Sequence, residues 1–304
     1  MEMIRISKVA AIDCGTNSIR LLIDQEGEEV VREMEIVRLG EGVDHTKNFS
    51  PVAVERTLTA VRKFKKIIDQ HGVSKLRFCA TSATRDALNR EIFIGPVTEI
   101  LGVAPEVIVG TEEARLSFLG ATAEISRTQA PFLVVDIGGG STEFVFGVDD
   151  VSSAISVDIG CVRMTERHFR NDPPNSSQIE EARRDINGAI DRAEREVPIT
   201  SAKTVIAVAG TATTVTAAAL DLPHYDREAI HGSRISAART IEISNWLLSL
   251  PRDERAALGY MHPGRVEVIA AGSLVLAEIM KRTGAKEFMA SERDILDGIV
   301  ATLR

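Results

Sequence analysis

The sequence predicts an α/β protein made of two duplicated domains. Three observations carry that expectation. The chain has 304 residues, too many for one minimal core and a fitting length for two domains of ordinary size. Apolar strands ending in Asp alternate with segments of helical periodicity. A strand–turn–strand unit also occurs twice, as Val9-Ala-Ala-Ile-Asp-Cys-Gly-Thr-Asn-Ser-Ile-Arg and as Phe132-Leu-Val-Val-Asp-Ile-Gly-Gly-Gly-Ser-Thr-Glu. Aligning Asp13 with Asp136 pairs Gly15 with Gly138 and Ser18 with Ser141. The period is far too long for a solenoid and indicates a repeated domain.

The elements follow in order. Lys8 to Asp13, Ile19 to Asp24 and Glu29 to Leu39 read as strands. The turn between the first two, Asp13 to Ser18, is rich in residues that tolerate positive φ or bond their own backbone. A helix from Pro51 to Gln70 has Ser50 as its cap, Pro51 in its first turn and Gly72 as its stop. Its apolar residues Val54, Leu58, Val61, Phe64 and Ile68 recur at helical spacing. Leu76 to Thr81 reads as a strand, Thr84 to Leu101 as helical and broken by Pro96, Glu106 to Val109 as a short strand, and Thr111 to Glu124 as a helix. After Arg127 the pattern restarts with strands Phe132 to Asp136 and Glu143 to Phe146. A loop at Asn171 to Ser177 leads to a helix from about Gln178, with Ser177 and Glu180 as a capping box. Val205 to Ala209 is a strand. Ile241 to Leu250 and Val266 to Arg282 are helical, and a last helix begins after Ser291 with Asp294 at a capping position. The expected domains are 1–127 and 128–291, with the C-terminal helix (292–304) packing back on the first.

Composition excludes several classes. Hydrophobic residues make up 44% and charged residues 26%, as in an ordinary folded protein. No apolar run is long enough to cross a bilayer, and Met1 to Ala11 lacks the pattern of a signal peptide. Cys14, Cys79 and Cys161 are far apart with no CxxC pair, which argues for a reducing compartment, the cytoplasm, and against a disulfide framework or a zinc site. The net charge of -8 does not suit a nucleic-acid binder. A polyanionic substrate would have to be met locally, by Arg and Lys, backbone N–H groups and metal ions.

The chemistry concentrates in the two repeated turns. Each sets a carboxylate at the end of a buried strand, followed by glycine and hydroxyl residues. Glycines let backbone N–H groups approach a phosphate, and hydroxyls add donors. Gly15, Thr16, Asn17 and Ser18 in the first turn, and Gly138, Gly139, Gly140, Ser141 and Thr142 in the second, are the phosphate-binding candidates. Carboxylates do not bind phosphate directly, so Asp13, Asp136 and Glu143 make sense as Mg²⁺ ligands. The plainer alternative is a pair of hairpin turns with Asp as turn former, but Asp-x-Gly-Gly-Gly-Ser-Thr-Glu exceeds what a hairpin needs. Arg85, just past an apolar strand, offers a planar guanidinium suited to bidentate phosphate contact. Arg20 and Arg163 are further candidates, each equally explained as a surface ion-pair residue. Glu112 and Glu113 read on their own as first-turn helix acids. Cys14 has no His in a partner position, so its small size explains it better than nucleophilic attack. The six His show no metal spacing, and Arg62 to Lys66 reads as a solvated helix face.

Ala11-Ile-Asp-Cys-Gly-Thr-Asn-Ser-Ile-Arg20, Ala80-Thr-Ser-Ala-Thr-Arg-Asp86, Gly110-Thr-Glu-Glu-Ala-Arg115 and Val135-Asp-Ile-Gly-Gly-Gly-Ser-Thr-Glu143 together resemble the exopolyphosphatase / guanosine pentaphosphate phosphohydrolase family, within the actin and sugar-kinase superfamily. Weaker matches lie at Ile159 to Glu166, Ala209 to Thr214 and Arg265 to Gly272, so the resemblance spans nearly the whole chain. It implies two ribonuclease-H-like, actin-like domains with the active site in an interdomain cleft. It implies that Glu113, rather than Glu112, activates the attacking water, with Glu143 as a second catalytic acid. It moves Arg85 into the phosphate-binding set, leaves Arg20 (a phosphate-binding candidate) and Arg163 evenly balanced, and implies Mg²⁺, or Mn²⁺ in its place, held by Asp136 and Glu143 with Asp13 third. A homodimer is also what the resemblance suggests. The expected reaction is hydrolysis of terminal phosphate from inorganic polyphosphate, with short chains preferred because the extra C-terminal helical domains of longer members are missing. Guanosine pentaphosphate is the alternative substrate, and a non-catalytic actin-like binding protein the alternative class; neither a membrane nor nucleic acid is an expected partner. Glu267 stands where the family often has Asp.

Overall fold

Val9, Ala10, Ala11 and Ile12 are all buried, so the first strand needs neighbours on both edges and cover on both faces. The computed structural model, which describes residues 7–304, shows how this is met. The first six residues, on which part of the leader expectation rests, lie outside the described residues. β1 (Lys8–Cys14) is central in a five-stranded sheet with β2 (Ser18–Gln25), β3 (Glu28–Ile36), β4 (Lys75–Ala80) and β5 (Glu106–Val107), in the order β3-β2-β1-β4-β5. β1, β2 and β3 form an antiparallel meander, whereas β4 joins β1, and β5 joins β4, in parallel.

The second sheet repeats this plan. It comprises β6 (Phe132–Ile137), β7 (Thr142–Gly147), β8 (Val151–Val157), β9 (Thr204–Val208), β10 (Arg234–Ser236) and β11 (Glu287–Ala290), ordered β10-β11-β9-β6-β7-β8. Again the first three are antiparallel, and β9 and β11 follow in parallel. β6 is buried at every position. This strand order, found twice, is the ribonuclease-H-like sheet, and it makes the internal repeat a repeat of fold.

The chain divides into two compact units. One runs to Gly120 and takes in Ile295–Arg304; the other is Ala121–Asp294. In the first unit, the helix Pro51–His71 is capped by the Ser50 side chain, which accepts from the Ala53 N–H, and ends at Gly72 with φ 61. Its apolar face, including Val54, Leu58, Val61, Phe64 and Ile68, covers one side of the sheet. On the other side the returning helix Ile295–Ala301 buries Ile295, Leu296, Ile299 and Val300 against Val9, Ala11, Leu22, Ile108 and Leu116. At about 1.5–3 kcal/mol for each such side chain, this packing rivals the net stability of a domain. Arg304 seals the end with an ion pair to the buried Asp24.

Several local expectations shift. The segment expected to be one helix broken at Pro96 is two, Ser82–Asp86 and Glu91–Leu101, and Pro96 sits inside the second. The carbonyl that Pro96 leaves without a donor belongs to Ile92, a residue 42% exposed, so water can take it. The break falls at Ala87–Arg90, where other partners compete for the backbone. Leu88 N–H donates to the Lys47 carbonyl, and the Asn89 amide both accepts from and donates to the Phe49 backbone. The capping box of the helix Ser176–Glu196 is Asn175 with Gln178, not Ser177 with Glu180, so the helix starts earlier. The helix Ala237–Ser249 also starts earlier, capped by Ser236, and Ile269–Thr283 starts later because Pro263–Arg265 forms a 3₁₀ turn.

Gly298 explains how the returning helix reaches its seat. A Cβ there would lie 1.9 Å from the Leu116 carbonyl oxygen, on the helix Gly110–Thr122. Gly298→Ala must push the two helices apart. We expect a loss of ~1–3 kcal/mol, as for other overpacked sites, read as a lower midpoint in chemical denaturation.

Candidate phosphate-binding and catalytic site

The two repeated turns share one construction. In the first, Gly15 N–H donates to the Ser18 carbonyl at 2.9 Å, closing the turn. Val37 and Arg38 N–H donate to the Asn17 carbonyl at 3.0 and 2.8 Å, and Gly40 N–H donates to the Thr16 carbonyl at 2.9 Å. These bonds also end β3 at Ile36, short of the expected Leu39. In the second turn, Gly138 N–H donates to the Ser141 carbonyl at 3.0 Å. Cys161 N–H donates to Gly138, Val162 and Arg163 N–H to Gly139, and Gly160 N–H to Gly140. A trans peptide sets its carbonyl and the following N–H on opposite sides. With the carbonyls held from behind, the N–H groups of Asn17 and Ser18, and of Gly139, Gly140 and Ser141, face the other way. Successive outward N–H groups form an anion-binding concavity.

The backing segments must come very close. A Cβ on Gly40 would lie 2.3 Å from Thr16 Cγ2, and one on Gly160 would lie 2.3 Å from the Gly139 carbonyl carbon. Neither glycine stood out in the sequence, because each acts on a turn distant along the chain. The helix Cys161–His168, also not foreseen, spends its first N–H groups on the second turn. Arg163 is buried and donates through Nε to the Gly140 carbonyl at 2.6 Å, so it braces the turn. Thr142, expected on phosphate, is fully buried and donates its hydroxyl to the Ile159 carbonyl at 2.9 Å, supporting the turn from below.

The carboxylates differ between the repeats. Asp13 pairs across the strands with Arg20, whose Nε and Nη2 both donate to Asp13 Oδ2 at 3.1 and 2.7 Å. In the second sheet the corresponding cross-strand pair is Asp136 with Glu143, two acids at 7% and 1% exposure. Residues directly opposite on antiparallel strands share a face, with Cβ atoms about 4.5–5.5 Å apart. Ser156 on β8 donates to Glu143 Oε1 at 2.6 Å. Two hard carboxylates on one face suit Mg²⁺, which binds through one or two carboxylates and fills its other positions with water and phosphate oxygens.

Glu113 lies in the first turn of the helix Gly110–Thr122 and is 9% exposed. Arg85 Nη1 donates to its Oε2 at 2.6 Å and to the Ile108 carbonyl at 3.0 Å. Burial pushes the Glu113 carboxyl above its usual range, the Arg85 guanidinium pulls it back, and the Asp13 charge adds to the rise. Thr81, a hydrogen-bond partner of Glu113, sits beside Gly15 and donates its N–H to the Cys14 carbonyl. Arg85, Glu113 and the first turn thus form one cluster. The neighbouring Glu112 is different. It bonds Arg115 and Arg77, and Arg115 first of all holds its carboxyl below the usual range. Cys14 is buried, and burial followed by the Asp13 charge pushes its thiol well up, which rules it out as a ready nucleophile. His231 accepts from the Glu292 N–H, and Glu267 faces Arg252 at 3.7 Å. Lys63 and Lys65 are absorbed in surface ion pairs.

The model of the Ppx/GppA phosphatase family matches residues 23–303. The chain belongs to this family. Among curated relatives, Exopolyphosphatase 2 of Mycobacterium tuberculosis is 45% identical, covering 98% of this chain and 99% of the relative. A bifunctional 3-dehydroquinate synthase/phosphatase of Fusobacterium nucleatum is 34% identical over 96% of this chain and 46% of its own length. Among solved structures, an exopolyphosphatase-like protein is 46% identical with a TM-score of 0.95, covering 97% of this chain and 98% of that one. A Ppx/GppA family member from Aquifex aeolicus is 27% identical with a TM-score of 0.80, over 98% and 97% of the two chains. These likenesses show the two-domain fold of the family.

Gly160→Ala tests the backing of the second turn. The added carbon must displace backbone, so we expect at least a tenfold loss in affinity for tripolyphosphate by calorimetry, corresponding to about 1.4 kcal/mol, with an unchanged far-ultraviolet circular dichroism spectrum.

Proposed function

We propose that this chain is an exopolyphosphatase, which hydrolyses the terminal phosphoanhydride bond of inorganic polyphosphate. The observation that carries the proposal is Glu113, a buried carboxylate held by Arg85 beside an outward-facing amide turn in a member of a phosphatase family. The name of the M. tuberculosis relative, 45% identical over nearly the whole chain, supports the choice of substrate.

In this mechanism the outward amides of the first turn and Arg85 bind phosphate oxygens beside Glu113, and the amides of the second turn are a phosphate-binding element of their own. Glu113 orients a water molecule in line with the terminal phosphorus and takes a proton from it. The water oxygen bonds to phosphorus, the bond to the bridging oxygen breaks, and orthophosphate leaves a chain shorter by one unit. Asp136 and Glu143 would hold Mg²⁺, or Mn²⁺ in its place, which when bound supplies charge neutralisation of the phosphate oxygens. Asp13 serves chiefly through its pair with Arg20. The preference for short chains and a homodimer are further parts of the proposal. Three buried free thiols fit a reducing compartment such as the cytoplasm, and among the described residues no helix is long and apolar enough to cross a membrane.

Phosphate release with Mg²⁺ by the wild type and Glu113→Gln, on short and long polyphosphate, guanosine pentaphosphate and ATP, tests the proposal. We expect preference for polyphosphate and a loss of at least ~100-fold in kcat for Glu113→Gln, with binding retained. Release mainly from guanosine pentaphosphate would reassign the substrate, and none from any would leave a binding protein.

The pH dependence has a defined sign. Glu113 acts as a base only when ionised, and its carboxyl is raised from 4.5. The acid limb of kcat/KM therefore lies above 4.5, and activity falls as pH drops through it. Arg85→Met removes the group that lowers this value, so the limb moves to higher pH, as a pH–rate profile would show. An unmoved limb would exclude Glu113 as the titrating base.

A further inference from the structure

We infer that Ser156 is a positioning residue for the proposed cation site: its hydroxyl fixes the Glu143 carboxylate so that it serves, with Asp136, as a ligand. The inference rests on the proposed function and adds a residue to it.

The geometry comes from strand register. Asp136 lies opposite Glu143 across β6 and β7, and Glu143 lies opposite Ser156 across β7 and β8. On the far side Asp136 lies beside Val208 of β9. The row across the sheet is thus Val208, Asp136, Glu143, Ser156, with its central and right-hand side chains on one face. Serine on an edge strand usually hydrogen-bonds water. Here the Oγ instead donates to Glu143 Oε1 at 2.6 Å, within the range of a charge-assisted O–H···O bond.

The first sheet supplies an internal control. Its corresponding row is Cys79, Asp13, Arg20, Met34. There the third position is a cation that neutralises its neighbour directly, and the fourth is a thioether with no hydroxyl to donate. In the second row the third position is an acid, and the fourth carries the donor that acid requires. A carboxylate at 1% exposure has little water to solvate it. A hydroxyl on one of its oxygens restricts rotation about the last side-chain bond. Such outer contacts to metal-ligating carboxylates typically change metal affinity by roughly 10–100-fold.

The experiment uses the full chain as wild type, Ser156→Ala and Ser156→Thr. Mn²⁺ binding is followed by the electron paramagnetic resonance signal of the free ion, and Mg²⁺ activation by phosphate release from tripolyphosphate. Thermal melting checks that each variant is folded. We expect Ser156→Ala to raise the Mn²⁺ dissociation constant and the Mg²⁺ activation constant by roughly 10-fold or more, with saturating Mg²⁺ recovering most of kcat. Ser156→Thr, which keeps the hydroxyl and suits a strand, should bind Mn²⁺ within a few-fold of wild type. Unchanged Mn²⁺ binding in Ser156→Ala overturns the inference while leaving the proposed function intact. Equal loss in folded Ser156→Thr also overturns it, since packing and not the hydroxyl would then matter. A wild type that binds Mn²⁺ but releases no phosphate sinks only the proposed function, and one that binds no Mn²⁺ sinks both.

Discussion

The site depends on a constraint of the peptide group: a carbonyl bonded on one side commits the next N–H to the other. Both turns exploit it. Amides from 37–40 hold the carbonyls of Thr16 and Asn17, and amides from 160–163 hold those of Gly138 to Gly140. The donors that face outward are fixed before any anion arrives. That matters for any anionic ligand, because the cost of ordering donors is met in folding and not in binding. It also lets a chain of net charge -8 present local sites for an anion.

Duplication then permits division of labour. The same backbone position holds Arg20 in one sheet and Glu143 in the other, each opposite an Asp. The first row is neutral by its own ion pair, and its neighbour Glu113 is spared part of the repulsion that a bare Asp13 would exert. The second row concentrates negative charge, the feature on which the proposed cation site rests. Two chemically distinct sites arise from one local fold by a change of charge at a single cross-strand position.

Much of this was legible in the sequence. Buried strands ending in Asp, and glycine turns after them, mark the two loops because local residue types dictate both. The helix Pro51–His71 was legible for the same reason, with Ser50, Pro51 and Gly72 within or beside it. What escaped was set by distant partners. Gly40 and Gly160 matter only because another loop lies behind them. Ser156 matters only because register brings it to Glu143. Thr142 reads as a phosphate ligand until the Ile159 carbonyl is seen to occupy its hydroxyl. Asn89 ends a helix because Phe49 competes for its amide. Glu112 and Glu113, adjacent and alike in sequence, part company through Arg115 on one side and Arg85 on the other.

The close approach of Gly298 to Leu116 bears on how the molecule is made. Glu113 lies one turn before Leu116 on a helix whose cover is supplied by Ile295–Arg304. Ala121–Asp294 is continuous in the chain and can assemble as soon as it leaves the ribosome. The earlier unit has to wait, with one face of its sheet uncovered, for residues synthesised after the whole of the later one. The helix that bears Glu113 is therefore among the last parts to be secured, and a nascent chain stalled before Ile295 would carry both glycine turns without the support that holds Glu113 in place.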